Sequence, residues 1–312
     1  MRTAENRNTE TMDFGAFTAA VKGMLREKYD GYRITVSTVD KNNGLRLTGV
    51  SISAPGQAVA PHIYLDGFYK DYLAGCPMGK VISGIAGLYE QNRVTESLTL
   101  PNVADFEAVK DLICFKLTNR ERNARKLAAM PHRAFLDLAV SYYIPVTVPR
   151  GRSGRIAVTD QIFRMWKTDE EALYRHALEN TRRLLPIKMR PLEEVVAEIL
   201  TEGNGGISLQ ADRILGVPMY VLACGEKEES SAAAMHYGDV LREFAGRHGD
   251  FYILPSSIYE TLLVPVSGRW MDADCICSMV REVNRTQVSP EEVLSDSAYL
   301  CHADTGAVDV LS

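Results

Sequence analysis

Three short runs, Met219-Tyr-Val-Leu-Ala-Cys224, Asp250-Phe-Tyr-Ile-Leu-Pro255 and Thr261-Leu-Leu-Val-Pro-Val266, decide the fold class. Each is rich in β-branched and aromatic residues and too short for a buried helix, so each reads as a strand. A helical run, Ala232 to His248, separates the first from the second, and Tyr237, Val240, Leu241 and Phe244 share one of its faces. A second helix, Asp274 to Asn284, and a last strand, Ala298-Tyr-Leu-Cys301, complete the order β-α-β-β-α-β. That is the order of a split βαβ, or ferredoxin-like, unit.

Upstream, the middle of the chain has the same order. Ile113–Leu117 reads as a strand, Asn123–Met130 as a short helix, and Phe135–Pro145 with Gly154–Phe163 as a long hairpin. Thr168-Asp-Glu-Glu171 is a capping box for a helix that runs to Leu185, and Ile187-Lys-Met189 reads as a closing strand. Pro191 opens one more amphipathic helix, and Gly203-Asn-Gly-Gly206 marks a linker. Ser289-Pro-Glu-Glu292 is a further capping box, predicting a short helix.

The opening segment differs. Asp13 is placed to cap a helix with Phe14, Phe17, Val21 and Leu25 on one face. Tyr32–Thr38 and Leu45–Ile52 alternate around Lys41-Asn-Asn-Gly44, predicting a hairpin. In Pro61–Tyr72 the rings of Tyr64, Phe68 and Tyr72 recur at helical spacing, a stripe expected to pack in a core, and Met78–Leu88 is another amphipathic helix. The expected architecture is α+β: two tandem βαββαβ units preceded by a helix–hairpin–helix segment. Its divisions are a disordered extension (1–11), an N-terminal segment (12–104), a basic middle unit (105–206) and a C-terminal unit (207–312).

The 312 residues carry a net charge of −5, unevenly spread. Between Lys110 and Arg190 there are 17 basic against 8 acidic side chains, leaving 18 against 32 elsewhere. No run is long enough to span a bilayer, so no membrane partner is expected. The absence of a signal-like start and the six scattered cysteines predict a reduced, cytoplasmic protein.

Chemistry is sparse. Cys275 and Cys277 fall about 200° apart on a helix, which argues against one metal held by them with Cys301 and His302. Ser256-Ser257 lacks a nucleophile elbow, and His132 with Asp137 is a weak acid–base pair, so no catalytic residue, metal or cofactor is expected. Two polar clusters are the candidate contacts for phosphate or a partner. One is Asn119, Arg120, Arg122 and Asn123; the other is Arg150, Arg152 and Arg155 on a loop.

Several phrases carry a resemblance: Lys41-Asn-Asn-Gly44, Pro61-His-Ile-Tyr-Leu65, Leu117-Thr-Asn-Arg-Glu-Arg-Asn123 and Pro131-His-Arg-Ala-Phe-Leu-Asp-Leu138. Phe251-Tyr-Ile-Leu-Pro-Ser-Ser-Ile258, Val283-Asn-Arg-Thr286 and Glu292-Val-Leu-Ser-Asp296 extend it almost to the C terminus. With these the chain resembles an uncharacterised family of gut Firmicutes, the domain-of-unknown-function family 5688. The resemblance implies no activity, cofactor or site residue. The expected function is a non-enzymatic interaction or regulatory module with a protein partner. The alternative is nucleic-acid binding by the basic middle unit.

Overall fold

Alternation and amphipathic periodicity give a chain of short elements, seen in a computed structural model that describes residues 11–57, 59–93, 100–148, 152–202, 218–225, 231–266 and 272–311. The chain divides into two compact units, Met1–Lys41 with Arg46–Thr99, and Asn42–Leu45 with Leu100–Ser312. The extension expected to be disordered lies outside the described residues up to position 10.

In the first unit, α1 (Phe14–Lys28) starts where Asp13 accepts a hydrogen bond from the Ala16 amide at 2.7 Å. The hairpin β1 (Arg33–Asp40) and β2 (Arg46–Ser53) pairs in full antiparallel register, and β3 (His62–Tyr64) adds to β2. Helices α2 (Asp66–Leu73) and α3 (Met78–Asn92) follow. Phe17, Val21 and Leu25 of α1 pack with Ile34, Val50, Ile52, Val81 and Ile85 in one core. The expected aromatic stripe is broken, because Tyr64 ends a strand and only Phe68 and Tyr72 are helical. Those two pack against the core as expected. Gly49 is needed where β2 meets β3: a Cβ there would lie 2.5 Å from His62 Nε2.

In the second unit, α4 (Phe106–Val109) leads into β4 (Cys114–Asn119), then α5 (Ala124–Leu127), β5 (His132–Phe135), β6 (Leu138–Val148) and β7 (Arg152–Ala157). β6 is the hub, pairing with β4, β5 and β7. The single strand expected over Phe135–Pro145 is in fact two, because Leu136 takes φ 55° and turns the chain between β5 and β6. Helices α6 (Asp160–Met165) and α7 (Glu170–Leu184) follow, with Asp169 capping α7.

The rest builds a six-stranded antiparallel sheet. Its strands are β8 (Ile187–Pro191), β9 (Tyr220–Cys224), β10 (Phe251–Leu254), β11 (Thr261–Pro265), β12 (Ala298–Cys301) and β13 (Val308–Leu311). They are ordered β13-β12-β10-β11-β9-β8, interleaved with α8 (Leu192–Glu202), α9 (Gly238–His248) and α10 (Ala273–Thr286).

The fold class is α+β, but the strands do not assemble as two tandem units. β8, expected to close the middle unit, pairs with β9 from the other side of the 203–206 linker, which itself lies outside the described residues. The physical reason is two-sided burial. Phe251, Ile253 and Leu263 enter a large core together with Phe115, Leu117, Val140 and Tyr142, so both sheets of this unit share one interior. Leu254 and Val264, on the opposite face, pack on Ile276, Cys277 and Val280 of α10. Each such aliphatic side chain contributes about 1.5–3 kcal/mol when fully buried.

Two further expectations fail locally. The helix expected over Ala232–His248 breaks at Tyr237 into a 3₁₀ turn, Ala232–His236, and α9. Ser289–Glu292 forms a turn, not a helix, closed by Glu292 N donating to Ser289 O at 2.8 Å.

Candidate functional site

The first predicted cluster assembles at the C-terminal end of β4. Asn119 is buried; its side-chain amide donates to Leu294 O at 3.2 Å and its oxygen accepts from Arg122 N at 2.9 Å. Asn123, also buried, donates to Asn119 O at 2.8 Å and to Asn43 Oδ1 at 2.9 Å, and accepts from Asn43 N at 2.9 Å. Asn43 donates in turn to Pro290 O at 2.8 Å and Val293 O at 2.7 Å, while Asn42 donates to Glu291 O at 2.8 Å. These carbonyls belong to the turn after α10, which explains why a capping-box sequence made no helix there: its backbone acceptors are taken by asparagine amides. Asn43 can serve because asparagine tolerates its left-handed backbone, φ 57°.

Arg122 forms an ion pair with Asp296, and Asn284 donates to Asp296 Oδ1 at 2.9 Å and to Ser295 O at 2.8 Å. Asp137 accepts from Ser295 Oγ at 2.5 Å and from the Tyr299 hydroxyl at 2.7 Å. Phrases far apart in sequence therefore meet in one polar knot. Its amides satisfy the chain's own carbonyls, so Asn119 and Asn123 each have structural partners. Arg120 is exposed, and its backbone N–H donates to Asp137 O at 3.3 Å.

Two members of the second cluster lie in a strand and not in a loop. Arg150 lies outside the described residues, whereas Arg152 and Arg155 belong to β7, opposite Val148 and Pro145 of β6. The antiparallel ladder with β6 thus takes in Arg152 and Ser153, ahead of Gly154 where the strand was expected to start. The Arg155 guanidinium lies 5.1 Å from the ring centre of Tyr143. His132 Nδ1 is 2.9 Å from Met130 O, so His132 and Asp137 each have their own structural partners. Cys275 is exposed and Cys277 buried, on different sides of α10. Ser257 accepts from Tyr259 N at 3.1 Å, as a turn serine does.

Two features were not read from the sequence. A pocket of about 520 Å³ opens where β8 and β9 meet α9, lined by Ile187, Met189, Pro191, Tyr220, Phe244 and Arg247 among others. Phe244 stacks on His248 at 4.3 Å, and Tyr220 meets Phe244 edge-on at 5.1 Å. At its margin Arg182 pairs with Asp239 at 2.7 Å and Arg247 with Glu243 at 2.5 Å. The periodicity of β8 marks Ile187 and Met189 as one face, but only the pairing with β9 puts Tyr220 beside them.

A profile described as a family of unknown function, DUF5688, matches residues 14–302. The chain belongs to this family. No curated protein and no solved structure matches it.

The second unforeseen feature of this DUF5688 member is a charged network under the four-stranded sheet. Arg133 Nε donates to both Glu170 oxygens, at 2.7 and 2.8 Å, and Arg133 also pairs with Glu171. The Tyr142 hydroxyl donates to Glu170 at 2.6 Å. Burial works to raise the Glu170 carboxyl, but these donors hold it below the usual range. Behind them, His236 Nε2 lies 2.7 Å from the Tyr174 hydroxyl, and its ring packs edge-on against Phe135 at 4.4 Å. Burial, then the Arg133 cation, push His236 down to about 4, so it is neutral near pH 7. Among the described residues no group of three or more His, Cys, Asp or Glu side chains is placed to hold a metal ion.

Proposed function

We propose that this DUF5688 member is a non-enzymatic interaction module, and that a short extended segment of a protein partner occupies the pocket beside β8. The carrying observation is that a pocket with aliphatic and ring side chains on its walls, and Arg182, Glu243 and Arg247 among its lining, adjoins the last strand of a sheet. Among the described residues β8 ends the six-stranded order, pairing with β9 alone. An extended segment added along such a strand gains main-chain hydrogen bonds, and its alternate side chains enter the neighbouring pocket. Ile187, Met189 and Pro191 face the same side as Tyr220, Leu222 and Cys224, which sets where an aliphatic or aromatic anchor would go. The side chains that the sequence offered as catalysts support binding over chemistry, because Asp137 and His132 are each engaged with structural partners. All six cysteines are free thiols, which fits a reducing compartment such as the cytoplasm.

Nucleic-acid binding by the middle of the chain has less support. Acids from outside the 110–190 segment, among them Glu107, Glu198, Asp239 and Asp296, pair with its cations and divide the positive charge.

Selection of short peptides from a displayed library tests the proposal. Selected peptides should share an aliphatic or aromatic anchor and lose at least tenfold in affinity on Met189→Glu. Arg247→Glu, at an exposed position, checks the same pocket without disturbing the core. Peptides that bind both variants as well as the parent chain would refute the assignment.

A further inference from the structure

The four-stranded sheet carries a concentration of positive charge on the face turned away from the shared core. Strand register sets out its members. Cys114 lies opposite Tyr143, Lys116 opposite Ser141, and Arg155 opposite Pro145, so alternation puts Cys114, Lys116, Ser141, Tyr143 and Arg155 on one face. Lys116 and Arg155 are thereby diagonal to Tyr143 from its two neighbouring strands, and the Arg155 guanidinium covers the Tyr143 ring. A cavity of about 250 Å³ opens here, bounded by Cys114, Tyr143, Thr147 and Arg155, with Leu112 and Leu184 as apolar walls.

Lys116 is partly buried, yet among the described residues neither it nor Arg155 makes an ion pair. The charges acting on its ammonium are those of Lys126 and Arg155, both positive. Burial first, and these like charges second, push Lys116 down to about 8. A half-buried ammonium among cations is unfavourable for folding, since burying a charge without a counter-charge is costly. Elsewhere in this unit Arg122, Arg133, Arg182 and Arg190 each have an acid. Among the described residues Lys116 and Arg155 have no such acid, and an anionic ligand would supply the counter-charge.

We propose that Lys116 and Arg155 form a binding site for a phosphoryl group, with the adjoining cavity taking the organic part of a phosphomonoester. A dianion suits two cations that share one face of the sheet, and guanidinium and ammonium donors make strong charge-assisted hydrogen bonds to phosphate oxygens. The Ser141 hydroxyl, directly across the strand pair from Lys116, adds polar character to the same face. This site is separate from the pocket beside β8 and stands without it.

Calorimetric titration of the full chain with glycerol 3-phosphate and with inorganic phosphate tests the assignment and separates its two sources. Saturable binding of the ester, weakened at least tenfold by Lys116→Met and by Arg155→Gln, is the expected result. Inorganic phosphate binding as tightly as the ester, with the same loss in both variants, would support the site and assign it to the free ion. Lys116→Met should melt at or above the parent temperature, which shows that lost binding is not lost folding. No heat from either ligand at millimolar concentration would overturn the proposal, as would binding unchanged in both variants. So would binding of an oligonucleotide where neither small phosphate binds.

Discussion

Replacing Asn123 by alanine removes three hydrogen bonds at a site only 3% exposed. The Asn43 amide, the Asn43 side-chain oxygen and the Asn119 carbonyl each lose a partner. At a net worth of about 1 kcal/mol per bond, the substitution should destabilise the second unit by about 3 kcal/mol. That is a shift of more than a hundredfold in the folding equilibrium. The chain's two tryptophans, at 166 and 270, fall within the sequence of this unit, and Trp166 is buried. Its emission during urea unfolding therefore follows the relevant transition. With a slope of about 2 kcal/mol per molar, the midpoint should fall by roughly 1.5 M at unchanged slope. Arg122→Gln is the matched control. It breaks the half-exposed pair with Asp296, and such surface pairs are worth about 0–1 kcal/mol. A loss below about 0.5 kcal/mol for Asn123→Ala, or an equal loss for Arg122→Gln, would show that the amides do not hold the knot.

Stability should also depend on His236. Its folded value of about 4 lies below the ordinary 6.5, so the unfolded chain binds the proton first as pH falls. The contribution is complete above about pH 6.5 and declines towards pH 4, by up to about 3 kcal/mol. His236→Phe should flatten that slope in denaturation curves across this window, and an unchanged slope would remove His236 as its cause. Among the thiols, Cys275 is exposed while Cys114, Cys224, Cys277 and Cys301 are buried. Burial raises Cys114 to about 11 and Cys224 to about 12, which keeps both protonated. A thiol reagent should label Cys275 first and those four only on unfolding, and EDTA should leave the melting curve unmoved. A metal-dependent melt, or early labelling of Cys277, would contradict this placement of α10.

Local pattern determined much of this protein by itself. The cap at Asp13, the Lys41–Gly44 hairpin turn, the alternating strands and the amphipathic faces of α1, α3 and α10 depend on neighbours within a few residues, and each stands where its residues put it. Strand partners are a different matter. An apolar run such as Phe-Tyr-Ile-Leu tells that both faces will be buried but not by what, and β8 joined β9 because pairing there completes a sheet covered on both sides. The same limit governs function. Asn119 and Asn123 look like available donors in sequence, and only the fold brings the turn carbonyls and Asn43 that consume them. Lys116 looks like one polar residue inside a strand. Its meaning comes from Arg155 and Lys126, whose positive charges tertiary structure brings near it, because charge is felt through space and not along the chain.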